Sequence, residues 1–146
     1  MHSLSCGVPD PNETSSRPAV AEITLATSRD VVAARQAVAR ILKERGLSAV
    51  RITRFATAVS EITRNAIVHG GGGKISIYLD DRSEYLRVEC RDEGPGIENV
   101  TLAMSDGYTT AGGLGRGLGG AKRLSHGFEV RSAPGKGTTV SMSVKL

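Results

Sequence analysis

A glutamate and an asparagine four residues apart stand in the run Ser60-Glu61-Ile62-Thr63-Arg64-Asn65. On a helix the two side chains share a face, one turn from each other. A carboxylate there can take the proton of a hydroxyl, and a side-chain amide oxygen is a hard donor for Mg²⁺. Phosphoryl transfer asks a protein for both functions. The same spacing also suits a surface glutamate in an ion pair beside a capping asparagine. A second cluster, Asp92-Glu93-Gly94-Pro95-Gly96-Ile97, follows a strand-like run. A strand-terminal aspartate can accept from an exocyclic amine, and glycines let a flat base approach the backbone. Gly-Pro-Gly is equally strong turn chemistry. The third cluster is Gly112-Gly113-Leu114-Gly115-Arg116-Gly117-Leu118-Gly119-Gly120. A loop of that kind feeding a helix presents backbone N–H groups to phosphates. A flexible linker is the plain alternative, although linkers are uncommon inside a domain of this size.

Two more familiar phosphate motifs fail on context. Gly70–Lys74 has Val68 where the first glycine of a Walker A loop belongs, and Ile75 where its Ser or Thr belongs. Gly115 to Gly120 fits GxGxxG, but loop rather than strand precedes it, so a Rossmann unit is unsupported.

The elements that must position these clusters follow from periodicity. Residues 1–20 read as a flexible tail, and residues 21–146 as one domain. A strand is expected over 21–27, with Ile23 and Leu25 on one face. Ser28 offers an N-cap for a helix over about 29–45, whose apolar face is Val31, Ala34, Val38, Ile41 and Leu42. Ser48 offers another for a helix reaching about His69, with Phe55, Val59, Ile62 and Ala66 in one stripe. Glu61 and Asn65 lie at the edge of that stripe, and His69 lies close to it. Strand-like runs follow at 74–79 and 85–91, then a long loop and a short helix over 118–124. A hairpin of 128–132 and 138–145 closes the pattern. Grouped helices and hairpin-joined strands make an α+β class.

Composition narrows the function further. The chain has 146 residues, 39% of them hydrophobic and 23% charged, as in an ordinary globular domain. All 18 glycines but Gly7 and Gly46 fall from Gly70 onward, around the clusters above. No apolar run is long enough to span a membrane, and no basic start precedes an apolar stretch as in a signal peptide. Two cysteines without a CxxC pair fit a reduced, cytoplasmic protein. The formal charge of +4 is spread among acids with few aromatics, so no nucleic-acid partner and no membrane partner is expected.

ExxxN, then DxGxG, then GxGxGL, then Gly137-Thr138 resembles the motif order of the GHKL ATPase superfamily, over about residues 21–146. The resemblance implies the Bergerat ATP-binding fold, a two-layer α/β sandwich. Its mixed, mostly antiparallel sheet would be covered on one face by about three helices. It implies ATP and Mg²⁺ as cofactors. Glu61 would be the general base and Asn65 the Mg²⁺ ligand. Asp92 would bond the adenine amino group, Gly94 and Gly96 would shape the base pocket, and Thr138 would support the adenine side. Gly113, Gly115, Gly117 and Leu118 would belong to the phosphate-covering lid. Within the superfamily the chain is most similar to the compact bacterial serine/threonine kinases that act as stressosome switch kinases. The implied partner is a STAS-domain antagonist as phosphoryl acceptor, with a phosphatase or other regulator downstream. An anti-sigma-factor kinase that sequesters a sigma factor is the related alternative, and a binding module without turnover is a third. A histidine kinase is disfavoured, because no dimerisation helix with an acceptor histidine is visible. The roles of Arg64, Arg116 and His69 stay open.

Overall fold

Asp30 decides where the first helix begins. Its carboxylate accepts from the backbone N–H groups of Ala26 and Thr27 at 2.8 and 2.9 Å. An acid three residues into a helix thus reaches back to satisfy donors ahead of it. In the computed structural model, which describes residues 2–6, 18–80, 82, 84–97 and 118–146, α1 spans Ser28–Glu44. Thr27, not Ser28, is therefore the cap. The Thr27 and Ala26 bonds, in that order of weight, hold the Asp30 carboxyl below its usual value.

Helix α1 buries Val31, Ala34, Val38 and Leu42, with Ile41 partly buried beside them. Ser48 caps α2 (Ala49–Val68), its hydroxyl accepting from Arg51 N at 3.3 Å. All four residues of the expected α2 stripe are buried, and so are Ala56, Ala58, Ser60 and Thr63. Ser60 and Thr63 solve their burial locally by donating to the carbonyls of Ala56 and Val59 at 3.1 and 2.7 Å. Helices α1 and α2 pack side by side, and a short α3 (Leu118–Arg123) packs against α2.

Six strands form one sheet: β1 (His2–Cys6), β2 (Ala21–Leu25), β3 (Gly73–Asp80), β4 (Tyr85–Asp92), β5 (Gly127–Ser132) and β6 (Thr138–Lys145). Their order is β1-β5-β6-β4-β3-β2, and every described pairing is antiparallel, a stricter arrangement than the mixed sheet expected. The flexible tail expected over residues 1–20 needs correction at its start. His2–Cys6 pairs antiparallel with β5, in register from His2 opposite Ser132 to Cys6 opposite Phe128. The cause is the unpaired backbone edge that β5 would otherwise present. Edge pairing of that kind runs through main-chain groups, so side-chain periodicity does not announce it.

Register sorts the sheet into two faces. Ile75, Ile77 and Leu79 on β3 stand opposite Cys90, Val88 and Leu86 on β4. Those three in turn stand opposite Val140, Met142 and Val144 on β6, and Val130 and Phe128 on β5 extend the rows. Cys90 Sγ reaches Ile62 O of α2 at 3.7 Å, which identifies this apolar face as the helix-covered one. Fully burying each such side chain stabilises the fold by roughly 1.5–3 kcal/mol. The other face is polar. There Arg87 lies over the Tyr78 ring, 4.5 Å from its centroid, and pairs with Glu89 at 3.1 Å.

Burial gives Cys90 an unusual titration. Desolvation first, then the nearby Asp92 charge, pushes its thiol up from 9.0 to about 12. Between those values the unfolded chain loses the proton and the folded chain keeps it, so stability falls as pH rises. The slope should approach about 1.4 kcal/mol per pH unit. Urea midpoints measured at about pH 8 and about pH 10.5 should separate for the wild type. They should separate less for Cys90→Ala, and equal separation would show that other groups set the alkaline limb.

Candidate functional site

The helix-covered face of the sheet ends in a polar row. Asp92 on β4 stands opposite Thr138 on β6, and Thr138 stands opposite Ser132 on β5. All three are buried, with Asp92 8% exposed. They continue the strand positions that place Cys90, Val140 and Val130 in the core, so alternation alone turns them toward the helices. Ser132 Oγ ties the row together. It donates to Gly137 O at 2.9 Å or shares a hydrogen with Thr138 Oγ1 at 2.9 Å, and it accepts from Ile97 N at 2.8 Å.

Above this row lies a narrow crevice lined by Ile62, Asn65, Ala66, Cys90, Asp92, Ile97, Leu118, Thr138 and Val140. Four of the expected site residues therefore meet here: Asn65 from α2, Asp92 from β4, Leu118 from α3 and Thr138 from β6. Apolar walls with a carboxylate and a hydroxyl at one end suit a flat heteroaromatic ring carrying an amino group. The open volume is about 10 Å³, room for roughly one water. A base can enter only if the walls yield, and Ile97 and Leu118 adjoin the two ends of the chain segment outside the described residues.

Glu61 is one turn before Asn65 on α2 and does not line the crevice. Its carboxylate accepts from Arg64 Nη1 at 3.0 Å, and both side chains are substantially exposed. Arg64, left open by the sequence, is thus the ion-pair partner of Glu61. Asn65 works through its backbone as well, its carbonyl accepting from His69 N and Gly70 N at 2.9 and 3.3 Å. His69 is the C-cap of α2. Among the described residues no cluster of three or more His, Cys, Asp or Glu side chains gathers as a metal cage. The amide oxygen of Asn65 is instead a single hard donor of the kind that suits an ion keeping waters and substrate phosphates as its other ligands, as Mg²⁺ does.

The glycines after Asp92 serve packing first. Asp92 Oδ1 accepts from Gly94 N at 2.9 Å, closing the turn at the strand end. A Cβ on Gly94 would lie 2.5 Å from Gly70 Cα, and a Cβ on Gly70 would lie 2.3 Å from Asp92 Cγ. Gly96 has φ +80°, and a Cβ there would lie 2.0 Å from Ala133 O. Gly70 lies outside the three clusters of the sequence, yet its lack of a side chain leaves the room that the Asp92 carboxylate occupies. Its signal was the four-glycine run at the helix–strand connection. Ser132 carried no signal beyond its place in a strand. Gly113, Gly115, Gly117 and Arg116 lie outside the described residues.

Comparison with known proteins supports the same architecture. The family of the histidine kinase-like ATPase domain matches residues 24–144. The serine/threonine-protein kinase RsbT of Bacillus subtilis is 40% identical over 120 residues, 81% of this chain and 90% of the relative. An anti-sigma F factor of Clostridium acetobutylicum is 35% identical over 128 residues, 84% of this chain and 90% of the relative. A solved structure of the RsbU and RsbW domains of a Mycobacterium tuberculosis protein superposes with a TM-score of 0.62 at 22% identity. The likeness covers 86% of this chain and 32% of that longer one, and it concerns the fold.

Proposed function

The chain belongs to the histidine kinase-like ATPase domain family, and from that premise we propose that it is an ATP-dependent protein-serine/threonine kinase acting on a STAS-domain partner in a partner-switching pathway. The observation that carries the reading is the meeting of Asn65, Asp92 and Thr138 on one crevice, with Glu61 one helical turn away. The 40% identity to a serine/threonine-protein kinase over nine-tenths of its length supports the same reaction.

Each residue then has a task. The Asp92 carboxylate accepts from the adenine amino group, with Thr138 beside it in the polar row. Gly94 and Gly96 hold the turn that shapes the base pocket, and Leu118 forms the opposite wall. Asn65 presents its amide oxygen toward the phosphates, where Mg²⁺ would neutralise charge as the terminal phosphoryl group moves. Glu61 takes the proton of the acceptor hydroxyl, and exposure suits that task because the acceptor arrives on another protein. The Arg64 bond keeps the Glu61 carboxylate in place on the helix surface. Gly113, Gly115 and Gly117 would offer backbone N–H groups to the phosphates.

The test is transfer of label from radioactive Mg-ATP to a serine or threonine of a purified STAS-domain protein. Stoichiometric labelling is expected, and no transfer to any STAS protein of the host would overturn the reading. The second reading, an anti-sigma factor, draws on the 35% identity to an anti-sigma F factor. Co-purification with a sigma factor would favour it.

A further inference from the structure

A second concave site lies at the other end of α2. Arg51 and Arg54 of α2, Arg123 of α3, Ser125 and His126 of the following turn, and Leu124 and Val144 line a cleft of about 300 Å³. At a rise of 1.5 Å per residue it is about 10–20 Å along the helix from Glu61 and Asn65. Three arginines line it from two helices, and among the described residues no carboxylate lines the cleft. The first turn of α1 carries Asp30, whereas the first turn of α2 carries no acid and places Arg51 there. Cations beside the positive end of a helix repel it, so the arrangement carries a local cost that an anion relieves.

The cleft is also held in shape. Arg51 donates to the Lys145 carbonyl. His126 N donates to Ser143 O at 2.9 Å, and His126 Nδ1 accepts from Lys145 N at 3.3 Å. Ser125 Oγ is bound to Ala121 O at 2.7 Å. The guanidinium of Arg54 fits a carboxylate, which arginine binds in a pair of parallel bonds. Leu124 and Val144 add apolar surface between those charges. An inorganic anion would leave that surface unused, whereas a polypeptide carrying acidic and aliphatic side chains would use both.

We propose that this cleft is a docking site for an acidic, aliphatic-bearing segment of a partner protein, separate from the nucleotide crevice. Its chemistry stands whether or not the chain transfers phosphate. The experiment is fluorescence anisotropy of the full chain with a labelled peptide of repeated Asp-Leu-Glu. Saturable binding that weakens with salt is expected. Combined Arg51→Glu and Arg54→Glu should weaken it by about tenfold or more, while a fluorescent ATP analogue binds both proteins alike. Arg54→Gln, which disturbs no described hydrogen bond, should give a smaller loss in the same direction with an unchanged thermal melt. The proposal fails if the charge-reversed protein binds the peptide as well as wild type, or if wild type does not bind it. It fails too if ATP displaces the peptide, if an Asn-Leu-Gln peptide binds equally, or if tripolyphosphate competes as strongly as unlabelled peptide.

Discussion

Glu61→Gln should lower phosphoryl transfer to a protein hydroxyl by about 10²–10⁴-fold, the usual cost of losing a general base. The amide keeps an oxygen for Arg64, which donates to Glu61 at 3.0 Å in the wild type, so the local helix surface should persist. Affinity for ATP should hardly change, because Glu61 does not line the crevice where Asn65, Asp92 and Thr138 meet. Single-turnover transfer and equilibrium nucleotide binding, measured on the same preparation, separate the two effects. A variant that transfers as fast as wild type would remove Glu61 from the reaction.

Asp92→Asn should act in the opposite way, on binding rather than on the chemical step. The asparagine can keep an oxygen for Gly94 N, which Asp92 Oδ1 accepts at 2.9 Å. Its NH₂ then replaces an acceptor with a donor. Loss of a charged hydrogen bond is worth about 1.5–3 kcal/mol, or about 10–150-fold in affinity. Gly70→Ala should produce a loss in the same direction without touching the carboxylate chemically. Its methyl would lie 2.3 Å from Asp92 Cγ and 2.7 Å from Ala66 O, so side chain or backbone must shift. Titration calorimetry with a non-hydrolysable ATP analogue reads both. If Asp92→Asn binds as tightly as wild type, the base pocket is elsewhere.

Much of this arrangement was legible in the residues themselves. Apolar spacing located α1 and α2 and the faces they bury, since 3.6-residue periodicity is a direct image of packing. Asp92, Gly94 and Gly96 were visible because turn chemistry and a strand-terminal acid coincide in one run. Asn65 and Thr138 could be brought together only by family resemblance, because strand order depends on long-range pairing. The cap at Thr27 was missed for a local reason: two residues that can cap stand side by side, and Asp30 favours the first. Strand β1 was missed because it pairs through its backbone, and the use of Gly70 because its contact, Asp92, lies on another element.

The order of the sheet also bears on when the protein becomes competent. Strand β6 comes last among the described strands, yet it lies inside the sheet between β4 and β5. Thr138 is the first residue of that strand and Asp92 the last of β4, so the polar row forms only when β6 inserts. A chain emerging from the ribosome can fold α1, α2 and the β3–β4 hairpin early, since those contacts are local. The Asp92–Thr138 edge of the crevice cannot form until the residues of β6 are free to pair. A product truncated before β6 would expose the β4 edge and lack the polar row of the crevice.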